Sequence, residues 1–226
     1  MRWLDPEYRG IAEFMDYARE QIETGALVLD VGCGQGPYRS WFAHTRYVGT
    51  DCVGGGEVAF LSQAETLPMK TGAVDAVILT QVLAYTKEPA AVLEEINRVL
   101  RRGGRIFLTD AQEWGLHRDP PDYYRFTQFG LEYLLERAGF KVIFIRARGG
   151  YFWYLAKRLS RLPGALFPAT VRPVWRILAF LPRAVLARIV GLLLPPLCIL
   201  LDRLDHERDY TLGYACYAVK SESKNG

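Results

Sequence analysis

Apolar residues recur at helical spacing after Asp5, at Tyr8, Ile11, Ala12, Met15 and Ala18, and this stripe predicts an amphipathic helix that ends before Gly25. Asp5 is placed to cap it, and Pro6 suits its first position. The pattern then changes period. Short apolar runs at about 26–31, 46–51, 58–61, 74–80 and 104–110 predict buried strands. Helices are expected between them near 37–44 and 88–101, the second stopped by Gly103 and Gly104. Thr127–Ala138 reads as a further helix closed by Gly139, Lys141–Ala147 as a strand and Thr211–Val219 as the last strand. Strands that alternate with helices imply an α/β fold with a mainly parallel sheet covered on both faces.

The first strand runs directly into a glycine-rich turn, Gly32-Cys33-Gly34-Gln35-Gly36. Glycines there permit positive φ angles and a close backbone approach to a ligand. About twenty residues on, Tyr47-Val48-Gly49-Thr50-Asp51 is a second strand ending in an acid, the spacing of a carboxylate that grips ribose hydroxyls. Together these features predict a nucleotide-like cofactor. The G-x-G-x-G spacing departs from the dinucleotide pattern, and Asp30, two residues ahead of the turn, would repel a pyrophosphate but suits an amine and a sulfonium.

Ala64–Met69, Val74–Leu83 and Glu95–Arg105 follow in order, and with them the chain resembles the class I S-adenosylmethionine-dependent methyltransferases over about residues 25–147 and again at 211–220. The resemblance implies a Rossmann-like, doubly wound sheet of seven strands with the last one antiparallel, and S-adenosylmethionine as cofactor. Carried over motif by motif, it implies Asp30, Gly32, Cys33, Gly34 and Gly36 around the methionine moiety and Asp51 on the ribose. Gln63 and Ala64 fall at the adenine, and Gln81 beside the cofactor where the fourth strand ends. Many relatives have an acid in place of Gln63, whose amide oxygen can still accept from the exocyclic amine. Tyr85 stands where relatives commonly have a histidine.

With 226 residues, half of them hydrophobic, the chain can bury one sizeable core, and a single domain over 1–226 is expected. Cys33, Cys52, Cys198 and Cys216 form no CxxC pair, which predicts a reduced, cytoplasmic protein without a metal site. Residues Met1–Glu7 lack an apolar core and carry acids early, so no secretory signal is expected.

Between the last two strands, where a short connection would suffice, lies a basic, apolar helical insertion over 151–208. From Tyr151 to Leu201 there is no acid, while Lys157, Arg158, Arg161, Arg172, Arg176, Arg183 and Arg188 give +7 against +3 for the whole chain. Phe152, Trp153, Tyr154, Phe167, Trp175 and Phe180 interleave with these cations. Such an element suits the surface of an anionic bilayer, at the inner face of the cell membrane. Arg188 and Pro195-Pro196 interrupt the strongest apolar run, which argues against a spanning helix. A second reading makes the insertion a lid or homodimer interface. Basic residues alone supply only nonspecific attraction, so no specific nucleic-acid partner is expected.

Methyl transfer is an in-line displacement, so the protein must align the acceptor and, for a hydroxyl, help remove its proton. Acceptor residues belong beyond the carboxyl ends of the fourth and fifth strands, where His117-Arg118-Asp119-Pro120-Pro121-Asp122-Tyr123-Tyr124-Arg125-Phe126-Thr127 lies. This run resembles a methyltransferase subgroup associated with polysaccharide and cell-envelope biosynthesis. His117 is the candidate general base, with a surface-loop histidine as the alternative. Tyr123, Tyr124 and Arg125 are candidates for orienting the acceptor, or equally for anchoring the loop, and Thr127 for a helix cap. The expected activity is O-methylation of a sugar-containing or lipid-linked acceptor at a membrane surface. The alternatives are methylation of a quinone-like small molecule and a noncatalytic scaffold.

Overall fold

Seven strands form one sheet in the computed structural model, which describes residues 5–166, 185, 188, 194 and 196–221. They are β1 (Leu27–Val31), β2 (Arg46–Asp51), β3 (Val58–Leu61), β4 (Val74–Thr80), β5 (Leu100–Ala111), β6 (Phe140–Ala147) and β7 (Gly213–Lys220), in the spatial order β3-β2-β1-β4-β5-β7-β6. The pairs from β3 to β5 are all parallel. β7 inserts beside β5 and runs antiparallel to it, with Arg105 opposite Val219 and Ala111 opposite Gly213. From β1 the chain moves outward to β2 and β3, then returns to the other side of β1 as β4. A crevice therefore opens beyond the carboxyl ends of β1 and β4, where ligands of such sheets bind.

The described chain divides into two compact units, one of Ile11–Arg146 with Gly213–Gly226 and one of Met1–Gly10 with Ala147–Leu212. In the first, α1 (Pro6–Gln21) lays Ile11, Phe14, Met15 and Ala18 against Val28, Ile78, Phe107 and Tyr217. Phe107 and Tyr217 stack at 4.9 Å between centroids, and burying a ring such as that of Phe107 contributes about 1.5–3 kcal/mol. Asp5 caps α1 by accepting from the Glu7 N–H at 3.1 Å. α2 (Pro89–Val99) and α3 (Gln128–Arg137) follow, and the Thr127 hydroxyl caps α3 by accepting from Gly130 at 3.1 Å.

Two expectations need correction. The helix expected near 37–44 is only a 3-10 turn, Arg39–Phe42. Tertiary docking overrides propensity there: Phe42 is fully buried and stacks on Tyr47, while the Trp41 indole donates to Asp16 at 2.8 Å. The helix expected to reach 101 stops at Val99, and β5 begins at Leu100 instead of near 104. Leu100 is fully buried and pairs with Val74, ahead of a register shift in the β4–β5 ladder.

In the second unit, α4 (Tyr151–Leu159) and α5 (Leu162–Leu166) follow β6, and residues 196–201 are helical, running into a 3-10 turn at Asp202–Leu204. Lys157 reaches Asp5 at 3.0 Å and Glu7 at 3.6 Å. Of the cations and aromatic residues singled out in the insertion, Phe167, Arg172, Trp175, Arg176, Phe180 and Arg183 lie outside the described residues, as does Pro195. Among the described residues no helix is long and apolar enough to cross a membrane.

Candidate functional site

The turn after β1 is built from backbone hydrogen bonds. The N–H groups of Gly32 and Cys33 both donate to the Thr50 carbonyl, at 2.8 and 3.1 Å, which ties the turn to the end of β2. Gly32 has φ +72°, and a Cβ there would run into a methyl group of Val82. Both facts demand glycine. Asp51, the last residue of β2, accepts from the Gly34 N–H at 2.9 Å and from the Val53 N–H at 3.0 Å. Its carboxylate is thereby oriented beside the glycine turn.

A cleft of about 420 Å³ opens at this point, lined by Gly32, Asp51, Gln63, Ala64 and Gln81 among others. Five of the expected cofactor positions thus converge. Gln81 takes a left-handed φ of 57°, an uncommon conformation for a non-glycine residue and one concentrated at functional sites. Its N–H donates to the Thr109 carbonyl at 2.8 Å and its side-chain amide to the Thr109 hydroxyl at 3.3 Å, which hold it at the end of β4. The segment after Gln63 and Ala64 is stitched to α2. Glu95 accepts from the Leu67 N–H at 2.7 Å, and the Arg98 guanidinium donates to the carbonyls of Leu67 and Met69 while pairing with Glu95.

Asp30, Cys33, Gly34 and Gly36 are not among the cleft's lining residues. Asp30 is 1% exposed, and the Tyr47 hydroxyl donates to it at 2.5 Å. Burial pushes its carboxyl up to about 7, with the Tyr47 hydrogen bond pulling down and the Asp51 charge pushing further up. Burial likewise pushes the Cys33 thiol up to about 11, reinforced by Asp30 and Asp51.

The opposite wall brings in Thr86 and Lys87, which motif reading passed over, alongside Tyr85, Pro120 and the expected Tyr123. The loop that carries Tyr123 is pinned to the 3-10 turn Leu83–Tyr85, since the N–H groups of Tyr123 and Tyr124 both donate to the Ala84 carbonyl, at 2.7 and 3.3 Å. Asp110, buried at the end of β5, accepts from the Ala84 N–H at 3.1 Å and braces the same turn.

His117, Tyr124 and Arg125 do not line the cleft. His117 packs edge-on against Tyr85 at 5.3 Å, and its Nδ1 lies 2.7 Å from the Pro120 carbonyl, an acceptor that requires the proton on Nδ1. Tyr124 donates its hydroxyl to the Lys87 carbonyl at 2.9 Å and stacks on Phe126. Arg125 pairs with Asp122, which also accepts from the His117 N–H at 3.1 Å, and donates to the Tyr124 carbonyl at 2.8 Å. The Arg125 guanidinium holds the Asp122 carboxyl below its ordinary range. These three residues shape the loop, while Tyr123 and Tyr85 face the cleft. Among the described residues no group of His, Cys, Asp and Glu side chains could hold a metal ion.

The profile of a family described as "Methyltransferase domain" matches residues 29–108, from β1 into β5. The chain is 31% identical over 109 residues to the tRNA (carboxymethyluridine(34)-5-O)-methyltransferase of Macaca fascicularis, covering 43% of this chain and 16% of that protein. It is 26% identical over 159 residues to the ubiquinone biosynthesis O-methyltransferase of Paraburkholderia xenovorans, covering 60% and 66%. The chain therefore spans less than two thirds of either relative. Among solved structures, the Burkholderia thailandensis 1,6-didemethyltoxoflavin-N1-methyltransferase, with bound 1,6-didemethyltoxoflavin and S-adenosylhomocysteine, aligns over 94% of this chain and 79% of its own with a TM-score of 0.59 at 15% identity. That likeness is one of fold. The matched domain, together with a sheet of seven strands that is mostly parallel with β7 antiparallel, supports a class I S-adenosylmethionine-dependent methyltransferase with S-adenosylmethionine as its cofactor.

Proposed function

We propose that the cleft carries methyl transfer to a hydroxyl oxygen of a sugar-containing or lipid-linked acceptor at a membrane surface. The observation that supports it most is the meeting, in one cleft, of Gly32, Asp51, Gln63, Ala64 and Gln81 with a second wall of Tyr85, Lys87, Pro120 and Tyr123. The residues of the first wall fit the cofactor: a bare glycine approach, an oriented carboxylate for ribose hydroxyls and an amide for the adenine. When bound, S-adenosylmethionine supplies a methyl group made electrophilic by its sulfonium. The chain's own residues bind and align. Asp51 accepts from the ribose, the rigid left-handed Gln81 shapes the floor between donor and acceptor, and Tyr85 and Tyr123 bracket the acceptor. His117 acts through Tyr85 and Pro120, fixing the wall, so the rate comes chiefly from alignment.

Membrane contact is supported by the second unit, in which Leu166, Val185, Leu197, Leu200 and Leu204 are exposed at 50% or more and the same stretch of sequence carries Arg158, Arg161, Arg188 and Arg203. A segment that combines exposed apolar side chains with cations suits the boundary of an anionic bilayer. Flotation with vesicles tests this: the chain should rise with phosphatidylglycerol vesicles and not with neutral ones, and indifference to both would defeat the membrane part. Likeness to the ubiquinone-pathway enzyme favours a second reading, a quinone-like acceptor. Turnover of a short-chain demethylated quinone with labelled S-adenosylmethionine, without any need for vesicles, would establish it.

A further inference from the structure

We infer that the acceptor carries an anionic group, a phosphate or a carboxylate, and that Lys87 is the residue that receives it; this rests on the methyltransferase reading above. Lys87 is the one cation among the described residues that line the cleft, whose acids, Asp51 and Glu65, sit at the end of β2 and in the segment after β3. Its backbone is fixed: the Tyr124 hydroxyl donates to the Lys87 carbonyl at 2.9 Å, and Tyr123 and Tyr124 both bond the Ala84 carbonyl. The Lys87 ammonium lies 5.9 Å from the centre of the Tyr123 ring, which is itself part of the cleft wall.

In the same unit Arg39 pairs with Glu57, Arg98 with Glu95, Arg101 with Asp75 and Arg125 with Asp122, whereas among the described residues no carboxylate pairs with Lys87. It rests instead on an aromatic face. An exposed ammonium gains little from a ring and much more from charge-assisted hydrogen bonds to an oxyanion, so an arriving phosphate or carboxylate displaces the ring contact. A lysine suits this task, being a point charge on a flexible stem that can follow an acceptor into and out of the cleft. The anion is then held at the loop side, away from Asp51 and Glu65, and Tyr123 and Tyr85 remain to pack against the rest of the acceptor.

The test uses the full chain saturated with S-adenosylhomocysteine and titrated calorimetrically with glucose 1-phosphate, glucuronate and methyl glucoside. At least one charged sugar should bind about tenfold or more tightly than the neutral one, with an affinity that falls as salt rises. Which charged sugar binds separates phosphate from carboxylate. Lys87→Ala should abolish the preference and Lys87→Arg should keep most of it, with S-adenosylhomocysteine affinity unchanged in both. Equal or absent binding of all three sugars by a chain that binds S-adenosylhomocysteine, or a preference that survives Lys87→Ala, would overturn the inference alone. Failure to bind S-adenosylhomocysteine would overturn the reading beneath it.

Discussion

Asp202 accepts the Gly150 N–H at both carboxylate oxygens, at 3.1 and 3.0 Å, across 52 residues of sequence, and takes the Trp153 N–H as well at 3.1 Å. Asp205 takes the Tyr151 N–H at 2.6 Å. Two acids that follow the long acid-free stretch therefore return to cap the helix that opens it, satisfying donors that a helix start leaves unpaired and meeting the positive end of its dipole. Asp202→Ala should strand buried N–H groups and cost about 1–3 kcal/mol, read as a lower urea midpoint.

Asp51 accepts from two backbone N–H groups and lines the cleft. Asp51→Asn keeps one of the two oxygen acceptors used by the Gly34 and Val53 N–H groups, removes the charge and puts an amide donor in the cleft. S-adenosylmethionine affinity should drop by roughly ten- to a hundredfold in calorimetry while the melting temperature of the free protein changes little.

The buried carboxyl of Asp30 gives stability a pH dependence. Its carboxyl ionises near 3.8 in the unfolded chain but near 7 in the folded one, so between these values the unfolded state releases a proton that the folded state retains. Stability from this group falls as pH rises from about 4 to about 7, by an amount on the order of a few kcal/mol, and levels off above that. Asp30→Asn cannot ionise, and the difference in unfolding free energy between the two proteins should shift steadily in the variant's favour across that window.

Much of this arrangement was legible because strands buried on both faces must be written as short apolar runs, and a backbone approaching a ligand must be glycine. β1, β2, β4 and the Gly32 turn follow from those two constraints. The stretch 37–44 departs from a helix because Trp41 is held by Asp16, 25 residues earlier, and Phe42 is buried in the core and stacked on Tyr47. The imidazole chemistry that marks His117 in the sequence carries no information on whether a side chain faces a cleft. Lys87 had no signature at all: an exposed lysine acquires meaning only when a loop 36 residues on folds over it, as Tyr123 does.

His117 contacts Tyr85 and Pro120 and stays off the cleft lining. Removing a general base costs about a hundred- to ten-thousandfold in rate. His117→Gln should instead retain turnover within about tenfold and leave the pH–rate profile in the same place, whereas loss of an ionisation near neutral pH would assign proton removal to His117.

The central claim is that the cleft between the Gly32 turn and the Tyr123 loop binds the methyl donor. Calorimetric titration of the full chain with S-adenosylmethionine tests it directly. Saturable one-to-one binding at roughly micromolar affinity, weakened by Asp51→Asn, is the predicted result. No saturable heat at about millimolar ligand, or binding indifferent to Asp51→Asn, would contradict it.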